Sequence, residues 1–201
     1  MKTTAPMLSA DQWNMFWQDA DELVLYSRSH HGCLSAFQCF RLIKKLANAL
    51  DGFGFVKMPE NCQLSYRASL RLKCMMRLLY KELGIWCYFA YLQGAQFDFL
   101  LQAESCLNKV NTKEGIDAEI IMYSAFVLWS KWQSGNAQEN DMNRCFVLFE
   151  QCASYDSVLI PQPEVVWYRL GYLYQYGFGC SRNCNKAAEC FERARSMGFD
   201  C

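Results

Sequence analysis

The sequence lacks net charge, because 20 lysines and arginines balance 20 aspartates and glutamates over 201 residues. A chain without excess positive charge has no long-range field that attracts nucleic acid or an anionic membrane. We therefore expect neither as a partner. Hydrophobic residues make up 52% of the chain and charged residues 20%, which is typical of a folded protein and excludes a largely disordered one.

Long apolar runs are also missing. No stretch approaches the roughly 18 uncharged apolar residues that a membrane-spanning helix requires, and the first ten residues lack the apolar core of a secretory signal. These absences predict a cytoplasmic protein. Its 12 cysteines would then meet a reducing compartment, where thiols are more often small buried side chains than disulfides.

Histidine is scarce, and this argues against catalysis. The two histidines, His30 and His31, are adjacent in a segment that we predict to be a solvent-exposed turn. A Ser or Cys nucleophile needs a neighbouring base, and no nucleophile motif accompanies them. We predict that the protein is not an enzyme and requires no cofactor.

Strands are not indicated, because alternating apolar and polar residues are hard to find and apolar residues recur at helical spacing. One helical face runs from residue 11 to about residue 29, and a second lies between residue 36 and a DGFGF stop at residues 51–55. The faces comprise Trp13, Phe16, Trp17, Ala20, Leu23 and Val24, then Ala36, Phe40, Ile43, Ala47 and Leu50. The chain is therefore predicted to be all-α.

The helices are predicted to pair as four antiparallel hairpins within a single repeat domain over residues 1–201. Their approximate bounds are 11–51, 66–110, 117–156 and 164–199, with an irregular loop at about 52–65. The first helix of the second hairpin is long enough that a kink near Gly84 is expected.

A repeat of 42 residues supports this arrangement. Shifting the last hairpin back by that number brings together Leu170 with Leu128, Tyr174 with Trp132, Gly177 with Gly135, Lys186 with Arg144, and Phe191 with Phe149. A fixed period of this length is typical of a solenoid, in which each hairpin buries its apolar face against its neighbours.

The last unit, residues 165–198, carries a spaced pattern: Leu170, Gly171, Tyr174, Gly177, Gly179, Asn185, Lys186, Ala187, Phe191, Ala194 and Gly198. In this pattern the unit resembles the Sel1-like repeat, a relative of the tetratricopeptide repeat. Trp129 departs from it at the position that corresponds to Gly171. The resemblance implies a right-handed solenoid that binds a partner protein on its concave surface as a scaffold or adaptor. An inhibitor or immunity-type protein is a more specific alternative.

The GFG at residues 177–179 is interpreted as a turn between helices. A phosphate-binding loop would need a preceding strand and further glycines or a GK[ST] sequence, and the chain offers neither. Glycine suits such a turn because it adopts positive φ at little cost.

The partner-binding surface is predicted from residues outside the repeat's packing positions. On the first helix of the last hairpin these are Val165, Arg169, Tyr172 and Tyr176. The positions 42 residues earlier add Tyr123 and Val127. Tyrosine and arginine are favoured at interface hot spots. The alternative is that these side chains pack against a neighbouring hairpin.

A metal- or redox-responsive regulator is the rival hypothesis. Its candidate ligands are Cys180, Cys184, Cys190 and Cys201, and a second group comprises His30, His31, Cys33 and Cys39. Neither group has the paired C-x2-C spacing of zinc fingers and ribbons, so buried or half-exposed thiols are the preferred interpretation.

Overall fold

A computed structural model describes residues 10–55, 66–110 and 117–200. These ranges contain eight α-helices and one 3₁₀ turn, and no strand, so the all-helical prediction is confirmed. The helices are α1 (Ala10–Ser29), α2 (Ala36–Phe55), α3 (Tyr66–Leu92), α4 (Phe97–Val110), α5 (Ala118–Gln133), α6 (Asp141–Ala153), α7 (Pro163–Tyr176) and α8 (Cys184–Ser196), and the 3₁₀ turn is Ser157–Leu159. No helix in these ranges has both the length and the apolarity to cross a membrane.

One predicted boundary, the end of α2, changed. The α2 helix continues to Phe55, so Gly52 and Gly54 do not stop it where the DGFGF pattern predicted. A glycine inside a helix costs only about 1 kcal/mol relative to alanine, which the rest of a helix can offset. The remainder of the predicted loop, residues 56–65, lies outside the described residues.

The chain divides into two compact units, Met1–Val110 and Asn111–Cys201. In the first unit α3 is central: it packs closely against α4 and α2 and also contacts α1. The first two helices make few contacts with each other. They therefore form a looser pair than the predicted first hairpin. The single domain over residues 1–201 stays a prediction.

Gly84 marks a close approach of two helices. The α3 helix is continuous through this residue, and the kink stays a prediction. A Cβ at this position would lie 2.9 Å from the Leu107 side chain and 3.3 Å from the carbonyl oxygen of Ala103. The missing side chain therefore lets α4 lie directly against α3.

The α7–α8 hairpin of the second unit has the same contact. A Cβ at Gly171 would lie 2.8 Å from the ring of Phe191 and 3.2 Å from the carbonyl oxygen of Ala187. In both hairpins a glycine of the first helix faces an alanine of the second and the large side chain four residues further on. This shared geometry is what the small residues of the repeat pattern achieve.

The second unit packs in the order α5, α6, α7 and α8. Its core includes Phe126, Phe149, Leu128, Leu170 and Leu173, all of them buried. Every residue of α5 from Ile120 to Lys131 is buried.

A buried ion pair joins α5 to α6. Lys131 Nζ lies 2.8 Å from Asp141 Oδ2, and the two side chains are 4% and 3% exposed. The Oδ2 atom of Asp141 also accepts a hydrogen bond from the backbone N–H of Gln138. Arg144 Nη1 lies 3.5 Å from the other carboxylate oxygen, Oδ1. Burial pushes the pKa of Asp141 up, but the bonds from Lys131 and Gln138 outweigh burial and leave the pKa below its ordinary value.

The GFG segment is the turn between α7 and α8. Gly177 has φ of 75° and donates its backbone N–H to the Leu173 carbonyl at 2.8 Å. Gly179 has φ of 72°, and a Cβ there would lie 2.2 Å from the carbonyl oxygen of Met142. The turn therefore rests directly on the backbone at the start of α6. Asn183 then caps α8 by accepting from the N–H of Lys186.

We predict that Gly179→Ala destabilises the protein much more than Gly135→Ala. Both glycines have positive φ, 72° and 74°, but within the described residues nothing lies within 4 Å of a Cβ at Gly135. The Gly135 variant should lose about 1–2 kcal/mol for backbone strain, and the Gly179 variant a further 2 kcal/mol or so for its collision with Met142. Urea unfolding measures both. Equal losses would show that the turn does not rest on α6.

We also predict an acid-sensitive contribution from Asp141. Because its pKa is lower in the folded protein, the stabilisation is present above the unfolded pKa of about 3.9 and is lost as pH falls through the folded value. Asp141→Asn should cost about 3 kcal/mol near neutral pH and reduce the dependence of unfolding free energy on pH between about 5 and 3. Glu139 is an exposed neighbour, so Glu139→Gln should change neither the unfolding free energy nor its dependence on pH. An unaltered pH slope in Asp141→Asn would contradict the assignment.

Candidate protein-interaction surface

Five aromatic rings meet on one side of the second unit. Tyr172 is central to them, with ring centroids 5.4 Å from Trp129 and 6.1 Å from Trp132, and Trp129 lies 5.3 Å from Trp132. Tyr176 lies 4.5 Å from Tyr172, and Phe178 lies 4.9 Å from Trp132 and 5.9 Å from Tyr176. We call these five residues the aromatic cluster. Centroid distances of this size are those at which aromatic pairs attract one another.

The cluster extends from the core to the surface. Trp129 is only 5% exposed, whereas Tyr176 is 54% exposed, and the other three rings are half-buried. Tyr176 is therefore an exposed aromatic side chain that its neighbours already hold in place. Because its position is restricted before binding, ordering it on contact with a partner costs little.

Helix geometry explains why these rings meet. Tyr172 and Tyr176 are four residues apart on α7, and Trp129 and Trp132 are three apart on α5, so each pair lies on one helix face. Phe178 lies in the turn that follows α7, between Gly177 and Gly179. The helices α5 and α7 both flank α6, and the long aromatic side chains span the distance between them.

Arg169 lies one turn before Tyr172 and borders the cluster. Its guanidinium carbon is 4.3 Å from the ring centroid of Phe126 and 5.4 Å from that of Trp129. Its Nη1 is enclosed and has no hydrogen-bond partner among the described residues. Cation–π attraction supplies about 0.5–2 kcal/mol, but it does not replace the missing acceptor.

The structure brings together three of the six predicted partner-binding residues, and Val165, at the start of the same helix, is half-buried. Arg169, Tyr172 and Tyr176 lie along one edge of α7, and Tyr172 also packs against α5, as the alternative interpretation expected. Tyr123 and Val127 are 2% and 0% exposed, so they have no surface to offer a partner. The 42-residue shift assumed equal exposure on α5 and α7, whereas α5 is buried along most of its length.

Three residues of the cluster were not predicted. Trp129 and Trp132 were assigned to packing positions of the repeat, and Phe178 was considered only as part of a turn. The available signals were a pair of tryptophans at helical spacing and a large aromatic residue between two turn glycines.

Behind the cluster a polar contact ties three helices together. The Tyr174 hydroxyl of α7 donates to Glu150 of α6, and Lys186 Nζ of α8 lies 3.3 Å from the same hydroxyl and 5.0 Å from the ring centroid. Burial, together with the hydrogen bond to Glu150, raises the pKa of Tyr174. The contact fixes α7 between its neighbours and so supports the exposed side chains on it.

In the first unit a buried carboxylate was also missed. Glu82 is fully buried, and it accepts hydrogen bonds from Ser27 Oγ at 2.5 Å and Arg28 Nε at 3.2 Å. His31 Nε2 lies 2.7 Å from Oε2, the oxygen that also accepts from Ser27, and Trp86 Nε1 donates to Ser27 Oγ at 2.7 Å. The prediction of a solvent-exposed turn was therefore wrong for His31, whose side chain is 18% exposed. The network joins α1 and the turn after it to α3.

The cysteines do not assemble in the described ranges. Cys180 is half-buried, Cys184 is exposed at the start of α8, and Cys190 is buried. No group of three or more His, Cys, Asp or Glu residues is placed to hold a metal ion in these ranges, and Cys201 lies outside them. In the second predicted group Cys39 is fully buried, and burial raises the pKa of its thiol.

The buried thiols are chemically inert as well as enclosed. Burial raises the pKa of Cys106 and Cys190 to about 11, and that of Cys145 and Cys152 to about 12. Burial, and to a lesser degree the neighbouring Cys106, raises the pKa of Cys87 further. Thiolate is the reactive form, so these residues act as small apolar side chains at neutral pH.

Comparison with known proteins identifies the last hairpin. The family model of the Sel1 repeat matches residues 168–199, which confirms the resemblance for α7, its turn and α8. Neither the curated proteins nor the solved structures gave a match. Sel1 repeats are generally protein–protein interaction modules, and they usually belong to non-catalytic scaffolds.

We predict that alkylation separates the thiols by burial. With iodoacetamide at about pH 8, close to the ordinary thiol pKa, Cys33, Cys74 and Cys184 should react readily because they are exposed. Cys87, Cys145 and Cys152 should react slower by a factor on the order of a hundred or more, since they react only after local unfolding. Peptide mapping by mass spectrometry assigns each position, and the same reaction in guanidinium chloride is the control. Rapid labelling of Cys145 in the folded protein would contradict the assignment.

Proposed function

We propose that this chain is a protein-interaction module that holds a partner protein against the α5–α7 side of its second unit. The observation that carries the proposal is the exposed ring of Tyr176, held in place by the rest of the aromatic cluster. Tyrosine, tryptophan and arginine dominate interface hot spots, and all three are present here with Arg169 at the border. The Sel1 repeat in α7 and α8 supports this function.

The proposal accounts for what the surface contains. Its partly exposed side chains are aromatic rings and one guanidinium. Such a surface binds by shape, apolar area and a single charge. We therefore propose a scaffold or adaptor and not an enzyme, with an inhibitor or immunity-type protein as the finer alternative.

We extend the proposal to the arrangement of the whole chain. The 42-residue repeat and the matching contacts at Gly84 and Gly171 support a right-handed solenoid, with the first helices of its hairpins on the concave side. The aromatic cluster would then belong to that concave surface. A cytoplasmic location is part of the same proposal, and the ten described cysteines, all of which are free, support it.

We predict that Tyr176→Ala weakens partner binding and leaves the fold intact. The partner is first identified by affinity capture with the tagged full chain, and its affinity is then measured with purified proteins. Loss of an anchored hot-spot tyrosine should reduce affinity by about thirtyfold. The melting temperature should fall by no more than about 4 °C, because the ring is more than half exposed.

Val147→Ala serves as the control variant. Val147 is 58% exposed on α6 and lies outside the aromatic cluster, so its truncation should change neither affinity nor melting temperature. Equal affinities of wild type and Tyr176→Ala would place the partner elsewhere on the chain and overturn the proposed surface.

A further inference from the structure

The guanidinium of Arg169 indicates which chemical group a partner protein would present to this surface. We infer that the aromatic cluster binds an extended acidic peptide segment of another protein. An Asp or Glu carboxylate of that segment pairs with Arg169, and an apolar side chain about three residues away packs on Tyr176. The inference rests on the proposed function and adds the kind of segment that is bound.

The two helices that form the surface differ in how their cations are paired. The α5 helix has one, Lys131, and α7 has one, Arg169. Lys131 is already neutralised by Asp141 at 2.8 Å. Arg169 has no ion-pair partner among the described residues, although its charge lies against two aromatic rings. One positive charge on this surface is therefore left for a ligand.

The geometry of the guanidinium favours a carboxylate. Arginine presents five N–H donors in a planar fork, to which a carboxylate binds through two parallel hydrogen bonds. Nη1 is enclosed and lacks an acceptor, but the residue as a whole is only half-buried. A carboxylate can approach the part of the side chain that remains exposed. The apolar rings around it reduce screening by water and strengthen the attraction.

The single available cation also favours an acidic peptide over a nucleic acid or an anionic membrane. Nucleic acids and anionic membranes are bound through several lysines and arginines acting together. Among the described residues of α5 and α7 the one cation without an ion-pair partner is Arg169, and the chain has no net charge. A peptide with one well-placed carboxylate and an apolar neighbour matches the surface, whereas a polyanion does not.

The spacing of the two contacts follows from helix geometry. Arg169 and Tyr176 are seven residues apart on α7, which corresponds to about 10 Å along the helix axis. An extended peptide covers about 3.3 Å per residue. The carboxylate and the apolar side chain should therefore be about three residues apart in the bound segment.

The test is selection of a random twelve-residue peptide library, displayed on phage, against the immobilised full chain. Selected peptides should be enriched in Asp or Glu about three residues from an aromatic or large aliphatic residue. Selection on Arg169→Gln should lose the acidic preference and retain the apolar one. Circular dichroism and melting temperature verify that the variant is folded.

The affinity of the most enriched peptide is then measured by fluorescence anisotropy in a double-mutant cycle. Arg169→Gln in the protein, or replacement of the peptide carboxylate by its amide, should each weaken binding at least about tenfold. The two changes together should cost little more than either one. Added salt should weaken the acidic peptide more than its amide version.

The outcomes separate this inference from the proposed function. Peptides that bind in a Tyr176-dependent manner without an acidic preference would overturn the inference and leave the interaction surface standing. An acidic preference that persists in Arg169→Gln would also overturn it. Peptides whose binding is unaffected by Tyr176→Ala, or no selected peptide at all, would count against both.

Discussion

The distance of closest approach between paired helices governs this structure. In α3–α4 and α7–α8 a glycine on the first helix accepts a large side chain from the second, at 2.9 Å for Gly84 and 2.8 Å for Gly171 from the position of a Cβ. In α5–α6 the corresponding position is Trp129. Its ring cannot lie beneath Phe149 and meets it edge-on instead, with centroids 6.2 Å apart. The indole also contacts the rings of Trp132 and Tyr172, so the aromatic cluster begins where the repeat pattern is broken.

The enclosed charged groups differ in whether other residues of the chain satisfy them. Glu82 has Ser27, Arg28 and His31 around its carboxylate, and Asp141 has Lys131 and Arg144. Burying an ion is costly unless partners satisfy it, and these two sites meet that condition. Arg169 does not meet it within the described residues. The contrast distinguishes the charges that stabilise the fold from the one that we propose takes part in recognition.

Much of this could be predicted from the sequence, because repeat patterns report local packing. The motif around Tyr174 and Phe191 identifies which positions of α7 and α8 face inward, so Arg169, Tyr172 and Tyr176 remain as outward candidates. Exposure of α5 was not predictable in that way. Whether Tyr123 is covered depends on side chains from other helices, which a local pattern does not encode. The contacts of His31 with Glu82, 51 residues apart, are hidden from sequence for the same reason.

The contact of the α7–α8 turn with α6 determines where residues can be inserted into the chain. Gly179 lies against the backbone of Met142, so the turn has no room for an added residue without separating α7 from α6. The connection between α6 and α7 is different, because Val158 and Leu159 in its 3₁₀ turn are 87% and 60% exposed. Insertions, labels or fused domains are therefore best accommodated at this connection between hairpins, while the turn within the last hairpin must keep its length.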